Sequence, residues 1–102
     1  MMIAIKILGN KPHLRYSVRR VVTAACKKLC EEYPGLEFSI TEVKESRQIF
    51  AYTPVLVSPA LVINEKLVYD QWIPTYAQVM GWLRAAVEDQ IQPGSPDSQA
   101  NP

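Results

Sequence analysis

Cysteine is scarce in this 102-residue chain, with only Cys26 and Cys30, and there is a single histidine, His13. Two cysteines are too few for the disulfide framework of a small secreted domain, and they fit a reducing compartment. No apolar stretch approaches the roughly 20 residues that a membrane-crossing helix needs. The apolar opening Met2–Leu8 is broken by Lys6 and is too short to read as a signal peptide. A soluble cytoplasmic protein without membrane association is the expectation. Acid is also missing where it would be informative. Residues 1–30 carry seven basic side chains and no Asp or Glu, whereas all ten acids lie beyond them. This asymmetry is hidden by a net charge of +1. It leaves two alternatives: a cationic first element balanced by acids nearby in the fold, or one that meets an anion or acidic partner.

What is present patterns clearly. Ile3–Leu8 is rich in β-branched residues and stops at Gly9-Asn10, as a buried strand does. From about Pro12 or Ser17 to Tyr33, apolar residues at Val18, Val22, Ala25, Leu29 and Tyr33 recur at spacings of three and four. That is a helix, halted by Pro34-Gly35. Leu36–Val43 alternates, with Leu36, Phe38 and Ile40 on one face and Glu42 continuing that face, so a second strand is expected. Lys44–Tyr52 suits a short helix. Ala60–Ile63 is a strongly apolar strand, and Asn64-Glu65 turns it into a partner at Lys66–Asp70. Thr75 and Gln78 form a capping box ahead of a last helix ending near Gln90. Residues 1–91 thus read as one domain, and the polar, proline-containing residues 92–102 as a disordered tail. The order β-α-β-α-β-β-α predicts an α/β fold. Its first strand–helix–strand unit requires a parallel pair, its hairpin adds an antiparallel one, and three helices flank the resulting four-stranded mixed sheet.

The stretch Val57-Ser58-Pro59-Ala60-Leu61-Val62-Ile63-Asn64-Glu65-Lys66-Leu67-Val68 resembles the proline-loop strand and hairpin of the small thioredoxin- or glutaredoxin-like family, sometimes called redox-active disulfide proteins. Ile5-Lys6-Ile7-Leu8-Gly9 resembles that family's first strand, and the similarity covers about residues 2–88. The resemblance implies a thioredoxin-like fold in which Pro59 follows a cis peptide bond and faces the start of the first long helix. Active members carry Cys-x-x-Cys there. Here the segment reads Gly9-Asn10-Lys11-Pro12-His13-Leu14-Arg15-Tyr16, which puts Pro12 and Arg15 at the positions of the two cysteines. Exchange begins from a thiolate stabilised at a helix N-terminus, and neither residue supplies one.

Cys26 and Cys30 are the alternative thiols. They lie one helical turn apart, and Cys26 is about 21 Å along the helix from Pro12 at roughly 1.5 Å per residue, beyond the reach of helix-end activation. Parallel Cβ vectors also disfavour a bridge between them. Core thiols and a thiol–disulfide oxidoreductase using Cys26 and Cys30 both stay open. A metal site lacks ligands and no cofactor is expected, since His13 sits at the far end of the helix. His13 itself has no neighbouring acid or hydroxyl arranged for acid–base work.

The expected function is therefore a redox-inactive binding module. Thioredoxin-like proteins hold extended peptides beside the proline loop through backbone contacts, which need no sulfur. Pro12, His13, Leu14, Arg15, Ser58, Pro59 and Trp72 are the expected binding residues, with Trp72 either a groove wall or a lid over the core. Arg15, Arg19 and Arg20 would favour an acidic protein or peptide, and self-association as a homodimer is another form of the same idea. Nucleic acid is not expected, for there is no recognition motif and the pI is only about 7.8.

Overall fold

The seven residues Met2–Leu8 form β1, and their alternation directs Ile3, Ile5 and Ile7 to one side. A computed structural model describes residues 1–91. The expected tail at 92–102 lies outside the described residues. After β1 come α1 (Pro12–Glu32), β2 (Glu37–Val43), α2 (Ser46–Phe50), β3 (Ala60–Ile63), β4 (Lys66–Tyr69) and α3 (Tyr76–Ile91). The fold is α/β, a four-stranded mixed sheet with three helices, in the strand order β2-β1-β3-β4. β1 and β2 pair in parallel from Met2↔Glu37 to Leu8↔Val43. β3 runs antiparallel to β1, and β4 antiparallel to β3. No helix of the described residues is long and apolar enough to cross a membrane.

Helix α1 keeps the predicted three-and-four spacing. Val18, Val22, Ala25, Cys26 and Leu29 meet Ile3, Ile5 and Ile7 of β1, Leu61 and Ile63 of β3, and Val79, Leu83 and Val87 of α3. Gly35 ends the α1–β2 connection at φ +88, a conformation open to glycine and strained for other residues. The opposite sheet face buries less. There Leu8, Val43, Ala60 and Val62 gather under Ile49 of α2, with Tyr52 and Leu56 at the margin. Burial of an aliphatic side chain contributes about 1.5–3 kcal/mol, so the face under α1 and α3 carries most of the hydrophobic stabilisation.

Local signals decide the two remaining joints. Thr75 N–H donates to Gln78 Oε1 at 2.9 Å and Gln78 N–H to Thr75 Oγ1 at 3.1 Å, a reciprocal cap on α3. The hairpin turns on Asn64 and Glu65 at φ +50 and +67, the two left-handed residues of a type I′ turn. Asn64 also fastens the turn to β1. Its N–H donates to the Ala4 carbonyl at 2.8 Å, and its Oδ1 accepts from Ala4 N–H at 3.1 Å.

One expectation drawn from the resemblance fails. No peptide bond among the described residues is cis, so the bond preceding Pro59 is trans. Trans is the lower-energy isomer of an X-Pro bond by about 0.5–1 kcal/mol, and only a packing demand reverses it. Here Pro59 is buried against Gly9, and Ser58 is held in place by its hydroxyl bond to the Gln71 carbonyl.

Candidate functional site

The end of β1 and the start of α1 meet the loop before β3. Gly9 N–H donates to the Val43 carbonyl at 3.0 Å, which extends the β1–β2 ladder by one bond. A Cβ on Gly9 would lie 3.4 Å from Arg15 Cγ and 3.8 Å from Pro59 Cα. These are ordinary contact distances, and they place both Arg15 and Pro59 beside Gly9. Pro12 opens α1, where its missing N–H costs nothing. Lys11 precedes it without a side-chain cap, and its carbonyl accepts from Leu14 and Arg15 N–H.

Arg15 does not line an exposed groove. It is only 5% exposed, and its guanidinium folds inward beneath the loop. Nη1 donates to the Gly9 carbonyl at 2.9 Å and Nε to Glu42 Oε1 at 2.8 Å. The second Glu42 oxygen accepts from Arg19 Nη1 at 3.1 Å. A cation at the positive end of a helix is mildly unfavourable, and Glu42 offsets it. The Arg15 hydrogen bond, together with the charges of Arg15 and Arg19, holds the Glu42 carboxyl below its ordinary range despite partial burial. Acids of the fold therefore balance this part of the cationic first element. Leu14 is likewise buried, because an early α1 position turned towards the protein interior cannot also face a ligand. Both residues leave the expected binding set, and Arg15 and Arg19 are already paired within the protein.

Four of the expected residues stay near the surface. Pro12 and His13 are exposed at the start of α1, and Ser58 is half-buried. Trp72 is 52% exposed, so it is not a lid over the core. Ser58 Oγ donates to the Gln71 carbonyl at 3.1 Å, which ties the proline loop to the segment bearing Trp72. A second stitch lies deeper. Buried Thr53 donates its hydroxyl to Asp70 Oδ2 at 2.7 Å and accepts from Val55 N–H at 3.1 Å. Val57 is 75% exposed beside the Ser58 bond. The loop of 53–59 and the segment 70–72 therefore form one stitched rim with apolar Val57 and Trp72 on it.

Thiol chemistry is absent from this rim. Cys26 and Cys30 are both free, one buried and one exposed. Burial, reinforced by the neighbouring Cys30, pushes the Cys26 thiol up to about 12, so it stays protonated at neutral pH. Cys30 Sγ donates to the Leu36 carbonyl at 3.3 Å, at the far end of α1. No group of three or more His, Cys, Asp or Glu side chains stands together among the described residues.

The reading of the chain alone missed Gly9, Glu42 and the Thr53–Asp70 stitch as members of this region. For Glu42 a signal existed: it is the one acid continuing the Phe38–Ile40 face, and an acid on an apolar face demands a buried cation. Trp82 is half-buried against the core and packs on Tyr69, ring centroids 5.3 Å apart. No protein-family model matches this chain, and neither curated proteins nor solved structures provide a match.

Proposed function

We propose that this chain is a thioredoxin-like domain without dithiol chemistry, which binds a protein or an extended peptide at the rim of Pro12, His13, Ser58 and Trp72, while Pro59, buried like Leu14 and Arg15, shapes the loop from within. The observation that carries the reading is the apposition of the proline loop and the start of α1 across Gly9, with a guanidinium and an imino acid in place of sulfur. The strand order β2-β1-β3-β4 and the pairing directions agree with the topology the resemblance implies. The trans bond before Pro59 departs from it. Exposed Val57 and Trp72 supply apolar contact, and tryptophan is a frequent anchor of protein interfaces. Any preference of the rim for acidic partners falls to Lys11, since Glu42 occupies Arg15 and Arg19.

Binding of fluorescein-labelled extended peptides, followed by anisotropy, tests the reading. Trp72→Ala should weaken the best binder at least tenfold, the equivalent of about 1.4 kcal/mol. Unchanged affinity removes the rim from consideration. Insulin-disulfide reduction by the purified chain, lost in Cys30→Ser or Cys26→Ser, would replace the binding module with an oxidoreductase.

A further inference from the structure

A groove of about 310 Å³ runs between the β3–β4 hairpin and the second half of α3. That is the lower end of the range for small-molecule sites, about 300–1,000 Å³. Its two ends differ in chemistry. At one end Trp82 packs on Tyr69 of β4, which pairs with Leu61 of β3, and Leu61 pairs with Ile7 near the end of β1. Val68 and Ala86 continue this apolar surface, partly buried against the core. The other end lies over the start of β1. Asn64 is bonded to Ala4 there, and Gln90, next to Asp89, donates to the Met2 carbonyl at 3.1 Å. Asn64, Lys66 and Asp89 line this second end. Trp82 and Asp89 stand about 10 Å apart along α3, at roughly 1.5 Å per residue.

The polar end holds one charge of each sign. Lys66 and Asp89 line the same groove, yet among the described residues they pair neither with each other nor with anything else. The neighbouring charge of the hairpin, Glu65, is already taken by Lys6 and Tyr52. Asn64 adds a donor. Its Oδ1 accepts from Ala4 N–H, which orients the amide and leaves Nδ2 for another partner. A carboxylate at this end therefore meets Lys66 Nζ and Asn64 Nδ2, while an ammonium group meets Asp89. An apolar side chain attached to both runs along Ala86 and Val68 to Trp82.

We infer that this groove binds a free α-amino acid with an aromatic side chain. Such a molecule carries its two charges on one carbon and its apolar part beyond them, the same order in which the groups lie along the groove. Trp82, tilted against Tyr69, supplies the aromatic contact, which gains more than the area it buries. The end of a peptide carries only one of the two charges and leaves either Lys66 or Asp89 unanswered. A phosphate-bearing ligand brings its charge against Asp89. The groove is a different surface from the rim of Ser58 and Trp72, and the two readings stand or fall separately.

Titration of the full chain, labelled with nitrogen-15, with L-phenylalanine tests the inference through amide chemical shifts. Lys66, Val68, Trp82 and Ala86 should shift together and saturate with a Kd of about 1 mM, the strength expected of so small a ligand. L-phenylalaninamide lacks the carboxylate, and N-acetyl-L-phenylalanine lacks the ammonium group. In mildly acidic buffer, where the amine of the amide stays protonated, each should bind about threefold more weakly, the scale of one exposed ion pair. Lys66→Gln should erase the difference between phenylalanine and its amide, and Asp89→Asn the difference from the acetyl form. Both variants replace exposed side chains that have no ion partner among the described residues, so they fold. No saturable shift at the groove overturns the inference, as do variants that leave the threefold differences in place. Full-strength binding of either modified form makes a chain end or apolar contact alone sufficient, and overturns it too. Shifts confined to Ser58 and Trp72 also overturn it and assign the ligand to the rim.

Discussion

Two polar clusters lie on opposite faces of β1 and β2, built from similar parts and differing in how much water reaches them. On the α1 side, Glu42 joins Arg15 and Arg19, and the side chains of Arg15 and Glu42 are only 6% and 18% exposed. On the α2 side, Lys6 donates to Tyr52 Oη at 2.7 Å, Tyr52 donates to Glu65 Oε1 at 2.6 Å, and Lys6 pairs with Glu65 Oε2 at 2.9 Å. Glu65 there is 62% exposed. The geometry of the outer cluster is as good as that of the inner one. Burial separates their weights, because removing a partner from a buried pair strands a charge in low dielectric, while an exposed charge is rehydrated. The inner cluster is thus a structural joint between α1, β2 and the β1–α1 loop, and the outer one a surface clasp.

The largest expected effect comes from breaking the inner cluster. Glu42→Ala strands Arg15 without its carboxylate, and loss of about 3 kcal/mol is expected, the lower end of the range for a broken buried pair. Urea denaturation followed by circular dichroism measures it. A loss below 1 kcal/mol would mean that Arg15 finds water and that the two clusters are equivalent. Acid should expose the same difference. Hydrogen bonding to Arg15 lowers the Glu42 pKa in the folded state, so its contribution is complete above the unfolded value. It fades as pH falls from about 5, through the ordinary carboxylate range, to below the folded pKa. Stability measured between pH 7 and pH 3 should therefore decline less in Glu42→Gln than in the parent chain. Glu65 is lowered too, chiefly by its Tyr52 hydrogen bond, but its exposure discounts the effect. The Glu65→Gln profile should follow that of the parent.

The difference between the clusters also explains which parts of the fold were legible in the chain. Short-range signals were sufficient for β1, for the α1 periodicity, for the Thr75–Gln78 cap and for the Asn64-Glu65 turn, because each is decided within a few residues. Arg15 was misplaced because its destination is set by Glu42, 27 positions away in the chain. A guanidinium in a helix's first turn looks the same whether it faces solvent or a strand. The Pro59 bond was misread for a related reason, since the isomers differ by only about 0.5–1 kcal/mol and surrounding packing decides between them. The α2 boundaries came out shorter than Lys44–Tyr52, at Ser46–Phe50. The Glu45 carbonyl accepts the first bond of that helix from Ile49 N–H, and Tyr52 leaves it to join the clasp.

The smallest expected effect lies at Glu65, where backbone strain and the surface clasp oppose each other. Glu65 sits at φ +67, where a residue with a Cβ is disfavoured by roughly 1–2 kcal/mol relative to glycine. Its side chain returns some of that through Lys6 and Tyr52, but an exposed pair contributes at most about 1 kcal/mol. Glu65→Gly should therefore leave stability unchanged or raise it by a few tenths of a kcal/mol, as glycine completes the Asn-Gly pattern that type I′ hairpins favour. Lys6→Met keeps the strained turn and the Tyr52–Glu65 hydrogen bond but removes the cation of the clasp, so it should lose a few tenths, within the range for exposed pairs. Thermal melts of the two variants order them, with Glu65→Gly the higher. The reverse order would mean that the clasp outweighs the backbone strain, and that the half-covered α2 face is held by charge as firmly as the α1 side.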